Sequence, residues 1–142
     1  MSIWFKPYKL ADISADFGMA KHLGMEFTEL GPDFLRGRMP VDQRTHQPYG
    51  ILHGGASVAL AETLGSYAAM LTTDPSKVRC VGQEINANHI RGVSSGFVIG
   101  TARPVHVGRR SQVWEIRITD ERDKLVCISR LTMAVIEIDA KA

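Results

Sequence analysis

The sequence predicts an α+β domain in which one antiparallel sheet wraps around a single long apolar helix. Three observations lead there. The stretch "YGILHGGASVALAETLGSYAAML" (49–71) is rich in Ala, Leu and Gly and carries one charged side chain, Glu62. Everything after the turn "TTDPSK" (72–77) reads as strand. No repeat, low-complexity tract or linker divides the 142 residues, so one domain spanning 1–142 can hold a core of its own.

The elements follow in order. "LADISADFGMAKHLG" (10–24) has the spacing of a short amphipathic helix, with Gly24 as its stop. "DFLRGRMPV" (33–41) alternates: Leu35, Met39 and Val41 point one way, Arg36 and Arg38 the other, as in a half-buried strand. "DQRTHQPYG" (42–50) is a polar loop, and the long helix starts near His53–Gly55. Four strands close the chain: 78–91, 96–108, 111–120 and 124–138. Pro104 cannot donate to a ladder and marks a bulge or an edge in the second of these. In the third, Trp114, Ile116 and Ile118 face the core while Glu115, Arg117 and Thr119 face out. A helix with so little polar surface must be covered on most sides, and an enveloping sheet does that most economically.

Composition narrows the function. The chain is 44% hydrophobic and 23% charged, which excludes a mainly disordered protein. A net charge of +2 permits an anionic small molecule but is too weak to argue for nucleic acid. Cys80 and Cys127 sit in apolar runs without CxxC spacing and read as reduced core thiols. No apolar run is long enough to span a bilayer, and the N-terminus has no signal-peptide core. The expected location is the cytoplasm, with no membrane partner.

Glu62 poses the functional question. Helical spacing puts Val58, Glu62 and Ser66 on one face, among small or apolar neighbours. Burying part of a carboxylate there implies either a paired structural charge or a chemical task. Upstream, "HGG" (53–55) falls where the helix begins. It is either a tight entry turn or a seat for an anion, because a glycine-lined helix start offers unpaired N–H donors. Such donors suit a carbonyl oxygen that becomes negative during acyl transfer. Gly54 and Glu62 are eight residues apart, roughly 12 Å along one helix. If both act on one carbonyl, Glu62 must come from a second copy of the chain, and the protein is at least a homodimer.

Other chemistries lack their platforms. There is no G-x-S-x-G elbow, no HExxH, and no Walker or dinucleotide glycine pattern. His22, His46, His53, His89 and His106 are scattered without zinc spacing. No metal or redox cofactor is expected.

Through "QPYGILHGGASVALAETLGS", and also "MPVDQRTHQP", "EINANHIR", "VHVGRRSQVW" and "SRLTMAV", the chain resembles hotdog-fold thioesterases of the 4-hydroxybenzoyl-CoA thioesterase superfamily. The branch it is most similar to contains the 1,4-dihydroxy-2-naphthoyl-CoA and enterobactin-pathway proofreading thioesterases. The resemblance implies Glu62 as nucleophile or general base, and Gly54 N–H with Gln47 polarising the thioester carbonyl. It implies that His53 positions the thioester and that Ser66 orients water or the carboxylate. His89, Arg91, Arg109 and Arg110 would bind the CoA phosphates, with Tyr67 and Met70 in the acyl pocket. It further implies an acyl-CoA substrate with an aromatic or medium-chain acyl group, and a tetramer built from two dimers. A carrier-protein thioester as substrate and a non-catalytic acyl-CoA-binding module are the alternatives. A hydratase would need a His–Asp pair that this pattern lacks.

Overall fold

A computed structural model describes residues 1–139; the last three positions of the expected domain, 140–142, lie outside the described residues. Its elements are α1 (Gly18–His22), β1 (Glu26–Leu30), β2 (Leu35–Pro40), α2 (Gly54–Leu71), β3 (Val78–His89), β4 (Phe97–Val107), β5 (Ser111–Thr119) and β6 (Leu125–Glu137). The six strands form one antiparallel sheet in the order β1-β2-β4-β5-β6-β3, and α2 packs against five of them. This is the expected α+β architecture.

The helix settles into the sheet because its buried stripe is small. Ala56, Ser57, Leu60, Ala61, Leu64, Gly65, Ala68, Ala69 and Leu71 are all buried. A Cβ on Gly65 would lie 2.6 Å from Leu131, and one on Gly100 of β4 would lie 2.6 Å from Leu64. Glycine at both faces therefore allows a helix–sheet approach that any side chain would block. Beneath the helix lie Trp114, Ile116, Ile118, Leu131 and Met133, each fully buried, with the alternation foreseen for 111–120 intact. The Trp114 indole N–H donates to Gln112 Oε1 (2.9 Å), and Gln112 Nε2 donates to Thr72 Oγ1 (2.9 Å) at the helix C-cap. This buried relay ties the sheet to the end of α2.

Three local expectations need correction. The helix over 10–24 is broken into a 3-10 turn at Leu10–Asp12 and the short α1. Asp12 Oδ2 accepts from Lys9 N–H and Ser14 Oγ from Asp16 N–H, so side chains compete for the backbone. Gly18 then takes φ +42°, which no continuing helix permits, while Gly24 at φ +72° is the stop foreseen. Strand β1 lies where none was expected. A register shift between Phe27 and Glu29 puts its inward-leaning apolar residues, Phe27 and Leu30, three apart instead of two. Cys80 is only half-buried, whereas Cys127 is a core thiol, and both are free. Pro104 sits at a register shift between Pro104 and His106, beyond the stretch Phe97–Ala102 that β2 pairs, so its missing N–H breaks no ladder.

Replacing Gln112 by Ala strands the buried Trp114 donor. Chemical denaturation should show a loss of about 1–3 kcal/mol with an unchanged m-value.

Candidate active site

The loop before α2 is held from inside. Thr45 is buried, donates through Oγ1 to Pro40 O (2.8 Å), and accepts His53 N–H at its own carbonyl (2.7 Å). Leu52 N–H bonds to Val93 O (2.7 Å), and His46 Nε2 donates to Ser94 O (3.0 Å). These bonds deliver His53 to the helix start with extended backbone, φ −67° and ψ 130°.

His53 is the N-cap. Its Nδ1 accepts Gly55 N–H at 2.8 Å, so Nδ1 is unprotonated and the ring proton sits on Nε2. Ala56 and Ser57 N–H groups both bond to His53 O. Gly54 N–H is the donor left over: no acceptor pairs with it among the described residues. A Cβ on Gly54 would lie 2.8 Å from His89 Nε2, so the imidazole of His89 packs directly on the glycine. Gln47 flanks the same place. Its Oε1 accepts from Tyr49 N–H, which leaves the amide N–H groups free to donate outward. A cavity of about 330 Å³ joins Gln47, Gly54, Ser57, His89 and Arg91. Five of the expected site residues, Gln47, His53, Gly54, His89 and Arg91, thus meet at one helix terminus, and buried Ser57 is an addition.

The Asp120 carboxyl is held below the ordinary carboxylate range, chiefly by Lys124 N–H and Arg122 N–H, with Arg91 adding a smaller favourable charge.

Glu62 lies elsewhere. It is half-buried, with its carboxylate beside Gly82 of the edge strand β3, and lines a cavity of about 390 Å³ with Phe17, Thr63, Ser66, Tyr67, Met70 and Cys80. The two cavities share no residue. Among the described residues Glu62 makes no hydrogen bond or ion pair, since the nearby hydroxyls turn away. Thr63 Oγ1 donates to Ala59 O (2.7 Å), and Ser66 Oγ donates to Met133 Sδ (3.6 Å). Ser66 stands one turn beyond Glu62, as foreseen, but its proton points inward and not at the carboxylate. The paired-charge reading of Glu62 finds no partner within the described residues of the chain.

Tyr67 is the aromatic hub of this cavity, 4.8 Å from Phe27 and 6.4 Å from Phe17 between ring centroids. Phe17 and Cys80 were missed from sequence because one sat in the expected helix and the other in the expected core. Phe17 becomes visible only once the N-terminal segment folds across α2. Burial pushes the Cys80 thiol above its ordinary pKa, which keeps it protonated and weakly nucleophilic.

The four expected phosphate binders do not converge in one chain. Arg110 O accepts Val135 N–H, and Val135 pairs with Cys80 near the start of β3, whereas His89 ends that strand. Nine residues of strand separate those levels, about 30 Å. Arg109 and Arg110 therefore stand at the C-terminal end of α2, and His89 and Arg91 at its N-terminal end. No group of three or more His, Cys, Asp or Glu side chains converges among the described residues.

Comparison with known proteins shows the family and the fold. Residues 49–127 match the Thioesterase superfamily. The proofreading thioesterase EntH of Cronobacter turicensis is 57% identical over 117 residues, covering 82% of this chain and 85% of that protein. Among solved structures, a thioesterase of Pseudomonas aeruginosa superposes with a TM-score of 0.92 at 45% identity, covering 96% of this chain and all of the other. A Haemophilus influenzae thioesterase gives the same TM-score and identity over 99% of each chain. The six-stranded sheet around one long helix is the fold of these solved relatives, and the chain belongs to the thioesterase superfamily as a hotdog-fold thioester hydrolase.

Proposed function

We propose that the protein hydrolyses acyl-CoA thioesters bearing aromatic or medium-chain acyl groups, at sites shared between two copies of the chain, in the cytoplasm. The observation that carries this reading is the pair of unsatisfied groups on α2: a lone donor at Gly54 and a lone carboxylate at Glu62, about 12 Å apart. Neither has a partner among the described residues of its own chain, and each completes what the other lacks.

A second copy supplies the missing half. Among the described residues strand β3 is a 12-residue sheet edge paired only with β6, with Val81, Gly82, Gln83 and Glu84 exposed in succession. An edge of that length without a covering element favours pairing with another strand. A two-fold pairing that sets α2 antiparallel to its copy brings Glu62 of one chain toward Gly54 of the other, twice. The same operation carries the Arg109–Arg110 turn of one chain toward His89 and Arg91 of the other. Four cationic or hydrogen-bonding side chains then suit the phosphates of CoA, arginine donating through its planar fork. A tetramer made of two such dimers is the proposed assembly.

The chemistry follows from these roles. The thioester oxygen accepts from Gly54 N–H and the Gln47 amide, with the acyl group against Tyr67 and Met70. His53 holds the helix start open by taking Gly55 N–H for itself. In one route Glu62 removes a proton from water, and the hydroxide oxygen bonds to the acyl carbon. The carbonyl oxygen becomes an anion facing the two donors, then collapse breaks the C–S bond and the departing thiolate takes the proton from Glu62. In the other route Glu62 attacks directly, expels the thiolate and forms an anhydride that water then cleaves. Ser66 orients water or carboxylate once its hydroxyl rotates from Met133. A single turnover in ¹⁸O-water probes the routes: label in the enzyme carboxylate marks the anhydride, and label confined to the product argues against an anhydride cleaved at the enzyme's carboxyl carbon.

Two substitutions test the reading by thiol release from a panel of aryl- and alkyl-CoA substrates. Glu62→Gln should abolish turnover by orders of magnitude while the oligomer stays intact. Gly54→Pro deletes one N–H at the first helical position, where His53 already has the extended backbone proline demands; its ring also pushes the His89 imidazole aside, an effect that His89→Ala measures separately. Gly54→Pro should lower kcat by about 10²–10³-fold, the effect of losing one oxyanion donor. Near-native turnover in either variant contradicts the assignment.

A further inference from the structure

We propose that Gly82 is a positioning residue for catalysis: its missing side chain is the space in which the Glu62 carboxylate lies. This rests on the role given to Glu62 above. Gly82 sits inside β3, where glycine has no stabilising contact to offer and costs about 0.5–1 kcal/mol relative to alanine. Its backbone does not require glycine. Gly18, Gly24, Gly50 and Gly96 adopt positive φ, and Gly82 does not. The register shift between Gly82 and Glu84 leaves Gln83 as the extra residue, and that bulge likewise needs no left-handed glycine here.

The reason for glycine is steric, and it involves one neighbour. A Cβ built on Gly82 would overlap Glu62 Oε1 and come to 3.4 Å from Glu62 Cδ, while Leu131 Cδ1 at 3.9 Å is in ordinary contact. No other group among these nearest neighbours would be crowded. The carboxylate thus rests with Oε1 against bare backbone of the edge strand, and Glu62 lines the cavity that contains Tyr67 and Met70. Glu62 is a flexible side chain, so a methyl group at position 82 would displace the carboxylate without disturbing the fold. Such a displacement separates catalysis from stability, which a merely structural glycine cannot do. A shift of about 1 Å in a reacting group can cost about 10²-fold in rate.

The test compares Gly82→Ala, Gly82→Ser and Glu62→Gln by kcat, KM, melting temperature and oligomeric state, and adds a double-mutant cycle with Glu62→Asp. Gly82→Ala should lower kcat about 10²-fold with KM little changed and melting temperature equal or higher. Shortening the acid by one methylene should be less harmful in the Gly82→Ala background than beside the native glycine, because it withdraws the carboxylate from the added methyl. A native kcat in Gly82→Ala, or parallel losses of rate and melting temperature with additive effects in the cycle, would overturn the proposal. If Glu62→Gln is inactive while Gly82→Ala is fully active, only the role of Gly82 falls. If Glu62→Gln itself retains turnover, the reading of Glu62 falls with it.

Discussion

The close approach of α2 to the concave face of the sheet governs the rest of the molecule. Small residues along the buried stripe let the helix sink until Leu64 meets bare backbone at Gly100 and Leu131 meets it at Gly65. Large side chains at those positions would lift the helix and loosen both ends. The N-terminal end is where the loop bonded through Thr45, His46 and Leu52 presents His53 as the cap. The C-terminal end is clamped by the Thr72–Gln112–Trp114 relay. Between them the helix exposes one face, and that face carries the acid.

In the proposed site the capping arrangement turns a packing solution into chemistry. A helix start always leaves N–H groups unpaired, and an ordinary Ser or Asp cap would satisfy one of the inner ones. Here an imidazole satisfies Gly55, carbonyl O of His53 satisfies Ala56 and Ser57, and among the described residues Gly54 alone remains without an acceptor. Gln47 adds a second donor because its oxygen is already committed to Tyr49 N–H. Preorganised donors of this kind need no rearrangement when charge develops.

Much of this was legible in the sequence because it depends on local pattern. The alternation of 33–41 and 111–120, the apolar run of α2 and the glycines after His53 each declare themselves within a few residues. The distance between Gly54 and Glu62 also follows from helical rise alone. What escaped depends on contacts distant in sequence or on broken periodicity. β1 hid because a bulge at its centre spoils the two-residue alternation. The N-terminal helix failed because Asp12 and Ser14 capture backbone groups and Gly18 turns left-handed. The cluster of phosphate binders splits because strand register, invisible in the sequence, sets Arg110 level with the start of β3 and His89 at its end. Phe17, Cys80 and the space at Gly82 become meaningful only beside Glu62 in three dimensions.

The most direct measurement is activity in mixed oligomers of two impaired variants, one lacking the Gly54 donor through Gly54→Pro and the other lacking the acid through Glu62→Gln. Refolding them together at equal concentration should restore about a quarter of the native rate, because half the dimers are hybrids and each hybrid holds one intact site of two. Hybrids as inactive as either parent, with oligomers verified to have formed, would place donor and acid in the same chain's site and contradict the account.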